Sequence, residues 1–298
     1  MNPQPAQPNL PGRFATPLVA LALIAFCYGM ARFPSLPPAE RAKLAARFKF
    51  EKLPLAEVAN HPPYKYVHEV HPSLKRIAAW ISSLGAAAAL ADLDGDGLPN
   101  DVCSVDPRTG LVTVAPVPGT GERYAPFALD PTPLPYDGLT TAPMGVLAGD
   151  FNEDGLMDVL VYFWGRTPII YLRRTSGTPV GSPVALRRAD FVATELTDSG
   201  ERWFSNGATQ ADFDGDGHMD LVIGNYFQDG AHILDANAGG LEVMHEGKAK
   251  ALNGGRKHIL RFLVKNVSKP LFEQVVSFQA ASLERGTQLL ITLYAVAF

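Results

Sequence analysis

One acidic loop recurs three times along the chain, and each copy runs into a short apolar stretch. The copies read ALADLDGDGLPNDVCSV, VLAGDFNEDGLMDVLVYF and ATQADFDGDGHMDLVIGN; their first aspartates, Asp92, Asp150 and Asp212, are 58 and 62 residues apart. A repeat at near-constant period constrains the fold more than composition does, because each unit must bury its apolar faces against the next. Runs rich in Val, Ile, Leu and aromatics between Gly- and Asp-rich turns read as strands. The pattern predicts strands over 101–105, 158–163 and 220–224, then over 111–117, 168–172 and 231–234. A unit of about 60 residues with three or four antiparallel strands fits a propeller blade.

The loops have the chemistry of a cation site. Oxygen side chains stand at positions 1, 3, 5 and 9: Asp92, Asp94, Asp96 and Asn100; Asp150, Asn152, Asp154 and Asp158; Asp212, Asp214, Asp216 and Asp220. Alternate positions on a tight turn converge on one point, and the glycines at position 6 (Gly97, Gly155, Gly217) allow the positive φ that the turn needs. The position 7 carbonyls of Leu98, Leu156 and His218 complete an oxygen shell. Hard oxygen donors without thiolate or imidazole point to Ca²⁺, in up to three sites. With Asp101 and Glu153 the loops hold 12 of the 30 acidic residues, a concentration of like charge that calls for a counter-ion. An EF-hand would need a bidentate Glu at position 12 between helices. Cys103, Val161 and Ile223 stand there instead, with β-type flanks, so that motif is excluded.

These residues resemble the FG-GAP/VCBS repeat family, the calcium-loop blades of integrin-type β-propellers. The resemblance covers about residues 85–240 and is best in the third copy, DFDGDGHMDLVIGNYFQDGAHIL. Within that group the chain is similar to bacterial relatives of the cartilage acidic protein family. The resemblance implies a seven-bladed propeller, a Ca²⁺ in each suitable loop and an extracellular binding role. Asn100, Asn152 and Glu153 depart from the family pattern and imply weaker sites in the first two copies.

The expected fold is all-β: a partial or truncated β-propeller of three to four blades, with a short helical N-terminal region and one membrane or signal segment. Residues 1–31 read as a signal peptide or signal anchor, since no side chain from Phe14 to Ala31 is charged. Residues 32–84 form a helical, Pro-rich lead-in, with helices expected over 39–50 and 74–84 and Trp80 packed against the β region beyond residue 85. Residues 85–298 carry the blades, with loops at 92–100, 150–158 and 212–220. A fourth acidic loop falls due near 270–276, where the chain reads PLFEQVV, so the fourth blade is degenerate or the chain shortened. The apolar tail 288–298 would leave an unpaired edge.

A net charge of −4 gives no basis for nucleic-acid binding. No nucleophile elbow, P-loop, HExxH or dinucleotide fingerprint is present. His61, His68 and His71 match no ligand spacing, and these and the later histidines, His232, His245 and His258, read as surface or turn residues. Trp164 and Trp203 read as blade-closing aromatics rather than sugar platforms, the run 174–188 as an exposed basic loop, and Asn266-Val267-Ser268 as a glycosylation acceptor. The function expected is a calcium-binding, non-catalytic adhesion or binding module for a protein or glycan ligand, secreted or membrane-anchored outside the cytoplasm. An uncleaved N-terminal segment would contact the membrane. The alternative is a polysaccharide lyase or hydrolase on a calcium-stabilised propeller, which needs a Lys, Arg or Tyr base beside a metal.

Overall fold

The computed structural model describes residues 10–31, 36–65, 67–174, 183–242, 254–264 and 271–279. The tail 288–298, the tripeptide 266–268 and residues 175–182 of the basic run lie outside the described residues. The chain divides into two compact units, Met1–Leu53 and Pro54–Phe298.

The first unit is helical. The Ala- and Leu-rich apolar segment forms α1 (Leu10–Met30), and α2 (Pro38–Ala45) starts with Pro at its first turn, where a missing N–H costs nothing. Glu40 in the first turn and Lys43 in the last suit the helix dipole, but α2 buries no side chain. Leu44 and Phe48, which would share one face of a longer helix, are both exposed. Among the described residues no helix is long and apolar enough to cross a membrane.

The second unit is built on three four-stranded antiparallel sheets, each a meander of consecutive strands. Sheet 1 holds β1 (Ala87–Ala91), β2 (Asp101–Asp106), β3 (Leu111–Pro116) and β4 (Phe127–Ala128). Sheet 2 holds β5 (Ala142–Gly149), β6 (Asp158–Trp164), β7 (Ile169–Arg173) and β8 (Phe191–Glu195). Sheet 3 holds β9 (Ser205–Ala211), β10 (Asp220–Asn225), β11 (Arg256–Val264) and β12 (Leu271–Gln279). These are blade-like units at the expected repeat; among the described residues they number three and do not close a ring.

Sheet 2 is covered on both faces, and the period of two explains how. Val159, Val161 and Phe163 of β6, with Ile169 and Tyr171 of β7, pack with Cys103, Val105, Val112 and Val114 of sheet 1. The alternate residues Leu160, Ile170 and Leu172 pack with Trp203, Leu221, Ile223 and Leu260 beside and within sheet 3. Strands buried on both sides read as continuous apolar runs, as DVLVYFW and IIYLR do.

The structure corrects four expectations. The third strand of copy three is not 231–234, which forms turns with Ile233 and Leu234 buried; β11 takes that place after a long excursion. Leu271–Val276 of the stretch PLFEQVV therefore belong to β12, at the edge of sheet 3, rather than to a degenerate fourth blade. The helix expected over 74–84 is a 3₁₀ turn over Pro72–Ile77 followed by α3 (Ala78–Ser82); Leu74 and Ile81 are its buried anchors, while Trp80, 44% exposed, meets the Tyr226 ring beyond β10 with centroids 6.4 Å apart. Among the histidines, His71 and His258 are buried rather than superficial.

Candidate metal centres

Strand pairing defines the three loops. The residue preceding each loop pairs with an aspartate that opens the next strand: Ala91 with Asp101, Gly149 with Asp158, Ala211 with Asp220. Each of these aspartates is buried, and its Oδ2 accepts a hydrogen bond from the amide of the second loop residue, Leu93 at 2.7 Å, Phe151 at 3.0 Å and Phe213 at 3.0 Å. Asp101, not Asn100, is thus the counterpart of Asp158 and Asp220, and loop 1 is one residue longer than loops 2 and 3. Asn100 instead donates from Nδ2 to Asp96 Oδ2 at 2.9 Å, and its buried Oδ1 has no protein partner.

The first aspartate of each loop holds the turn. Asp92 Oδ1 accepts from the Gly95 and Asp96 amides and Oδ2 from the Gly97 amide, at 2.8–3.0 Å. Asp150 accepts from Asp154 and Gly155, and Asp212 from Gly215, Asp216 and Gly217, in the same way. The position 5 carboxylates of Asp96, Asp154 and Asp216 each accept from the amide two residues on, at Leu98, Leu156 and His218. The position 6 glycines have φ of 87°, 85° and 90°. Position 4 is left-handed as well: Gly95 and Gly215 occupy it in loops 1 and 3, but in loop 2 Glu153 is held at φ 54°.

Donor chemistry decides what each loop can hold. In loop 3, Asp212, Asp214 and Asp216 are exposed and bring carboxylate oxygens within 4.8 Å of one another. That all-oxygen set fits a hard divalent cation. In loop 2, Asn152 Nδ2 donates to Asp154 Oδ2 at 3.0 Å, while burial pushes the Asp158 carboxyl up to about 8. Asp158 also accepts the Arg173 amide at 2.7 Å. In loop 1, Asp92, Asp94 and Asp101 gather their oxygens as closely as loop 3 does, but a guanidinium sits among them. Arg123 Nη1 donates to Asp94 Oδ2 and lies 3.4 Å from Asp96 Oδ2; Nη2 donates to Asp101 Oδ1 at 2.6 Å and to the Asn100 carbonyl at 2.7 Å. The Tyr124 hydroxyl donates to the same Asp101 Oδ1 at 2.7 Å. Burial raises the Asp94 carboxyl and the nearby Asp101 adds to this, with Arg123 pulling the other way. The hydrogen bond from Asn100 leads in lowering Asp96. Burial opposes the Arg123 charge, yet Asp101 and Asp94 outweigh it and hold its pKa above the ordinary arginine value.

His218 has a role beyond its carbonyl. Its Nδ1 meets Glu153 Oε1, tying loop 3 to loop 2, and that hydrogen bond raises the His218 pKa. Position counting along the motif assigns no role to Asp101, Arg123, Tyr124 or the Glu153–His218 link. Asp101 is signalled by the recurring Asp-Val or Asp-Leu pair that starts each strand; Arg123 has no local signal.

Base-type side chains do stand at loop 1, where Arg123 and Tyr124 are both engaged by the Asp101 carboxylate. A cleft lined by Lys65, His68 and Tyr136 contains such groups, but none of the three loops lines it, and burial pushes the Tyr136 phenol up to about 12. Trp164 and Trp203 are buried, with indole N–H groups bonded to Asn206 and Glu201, so neither offers a sugar-stacking face. No curated protein matches the chain. A model described as the FG-GAP repeat matches residues 204–240, so the segment holding β9, loop 3 and β10 is an FG-GAP repeat.

Proposed function

We propose that this chain is a calcium-binding repeat module that acts outside the cytoplasm as a binding or adhesion surface. The observation that carries the reading is loop 3, where three exposed carboxylates converge within an FG-GAP repeat. Asp212, Asp214, Asp216 and Asp220, with the His218 carbonyl, would hold the ion there; Asp150, Asn152, Asp154 and Asp158, with the Leu156 carbonyl, would do so in loop 2. A bound Ca²⁺ supplies positive charge that offsets the repulsion among these oxygens. The chain's own part is to shape the turns through backbone amides and to anchor them on strands buried in the sheet cores. The integrin-type blade and the apolar segment ahead of the sheets favour a secreted or membrane-held protein with a protein or glycan ligand.

The test is a calorimetric titration of the full chain with Ca²⁺, alongside Asp212→Ala. Saturable binding that Asp212→Ala weakens supports the reading; no heat of binding, with thermal stability indifferent to chelator, refutes it.

A further inference from the structure

Loop 1 carries the sequence of a cation loop, yet its place for a cation is filled. We infer that Arg123 is a covalently tethered counter-ion that replaces the divalent ion in loop 1, so this loop stays folded without metal and does not bind Ca²⁺. The inference rests on reading these loops as cation sites.

The geometry supports this from several directions. The guanidinium reaches three of the four loop 1 carboxylates, Asp94, Asp96 and Asp101. Asp94 and Asp101 are 2% and 0% exposed, so water cannot neutralise their charge, and a buried carboxylate needs a paired partner. The planar fork matches the arrangement: one nitrogen serves the side chains at positions 3 and 5, the other serves the strand-opening aspartate and the Asn100 carbonyl. Arginine keeps its charge at any physiological pH, so the arrangement is permanent. A Ca²⁺ at these oxygens would have to displace the guanidinium or sit beside a like charge.

The segment bearing Arg123 is held in place independently. It lies on the connection between β3 and β4, where the Val117 amide donates to the Asn100 carbonyl at 2.8 Å and Tyr124 bonds to Asp101. Tyr124 also packs against Phe127 of β4, with ring centroids 6.2 Å apart. The extra residue in loop 1 fits the same picture. It puts Asn100, an amide, ahead of the strand, where its carbonyl accepts from Arg123 and its side chain donates to Asp96.

Hydrogen exchange of the full chain, in Ca²⁺ and then in excess chelator, separates the loops by sequence. Chelation is expected to speed exchange at residues 212–220 and leave 92–101 unchanged. Arg123→Gln is then expected to make 92–101 respond to Ca²⁺. Faster exchange at 92–101 on chelation of the unmodified chain overturns the inference, whether or not the variant folds. If neither segment responds in the unmodified chain, the calcium reading of loop 3 is what fails. The Arg123 assignment then stands if Arg123→Gln loosens 92–101, and falls if exchange there is unaltered.

Discussion

Loops 1 and 3 both contain Asp-x-Asp-Gly-Asp-Gly and fold through the same amide-to-carboxylate hydrogen bonds, but they solve the charge problem differently. Loop 1 buries Asp94 and Asp101 and meets a guanidinium supplied by a residue more than twenty positions downstream. Loop 3 is open to solvent, with its three carboxylates at the surface. The motif thus specifies a turn and a cluster of negative charge. Where the positive charge comes from is a property of the surrounding fold.

The largest expected effect that sharpens this contrast is Arg123→Ala. It leaves Asp94 and Asp101 buried without their cation and should cost about 3–5 kcal/mol in urea denaturation under chelator. A loss below about 1 kcal/mol would place Arg123 among ordinary surface partners. Next is the calcium effect on loop 3. At a hundredfold excess over its Kd, Ca²⁺ should add about 2.7 kcal/mol to the unfolding free energy. Asp212→Ala should abolish much of that gain and Asp96→Asn should preserve it; equal losses would erase the distinction between the loops. Tyr124→Phe removes one donor from a buried charged acceptor and should cost about 2 kcal/mol, independent of Ca²⁺. A calcium-dependent cost would show that loop 1 takes metal after all.

The smallest expected effect concerns the link between loops 2 and 3. Glu153→Gly relieves a left-handed backbone, worth about 1 kcal/mol, but loses the contact to His218, so net stability should change little. Glu153→Ala keeps the strain and loses the contact, and should be the less stable of the two by thermal melting. The reverse order would mean that Glu153 is unstrained there.

Much of the architecture is legible in the sequence because it is written locally. Alternating and continuous apolar runs locate β2, β6, β10, β3 and β7, and the glycine at position 6 of each loop has the left-handed φ that the motif requires. Sheet 3 departs from the pattern past β10, because Ala231, Ile233 and Leu234 look like a strand yet pack in turns against the helical lead-in. Their apolar character reflects burial, which periodicity cannot separate from strand pairing over so short a run. Asn100 reads as a ligand because counting from Asp92 ignores the extra residue; counting back from the strand gives Asp101. Arg123 is illegible for a different reason: its pairing is set by how the connection between β3 and β4 folds back over loop 1.

The excursion within sheet 3 has a consequence for how the chain is made. Four residues separate β2 from β3 and β6 from β7, whereas 30 separate β10 from β11. By loop-closure entropy alone the longer gap costs about 2 kcal/mol more. During synthesis, sheets 1 and 2 can assemble as soon as they emerge, and their shared apolar layer can form at once. Sheet 3 must wait with one edge of β10 unpaired until β11 arrives, a pause in which a chaperone or a neighbouring nascent chain would find its opening.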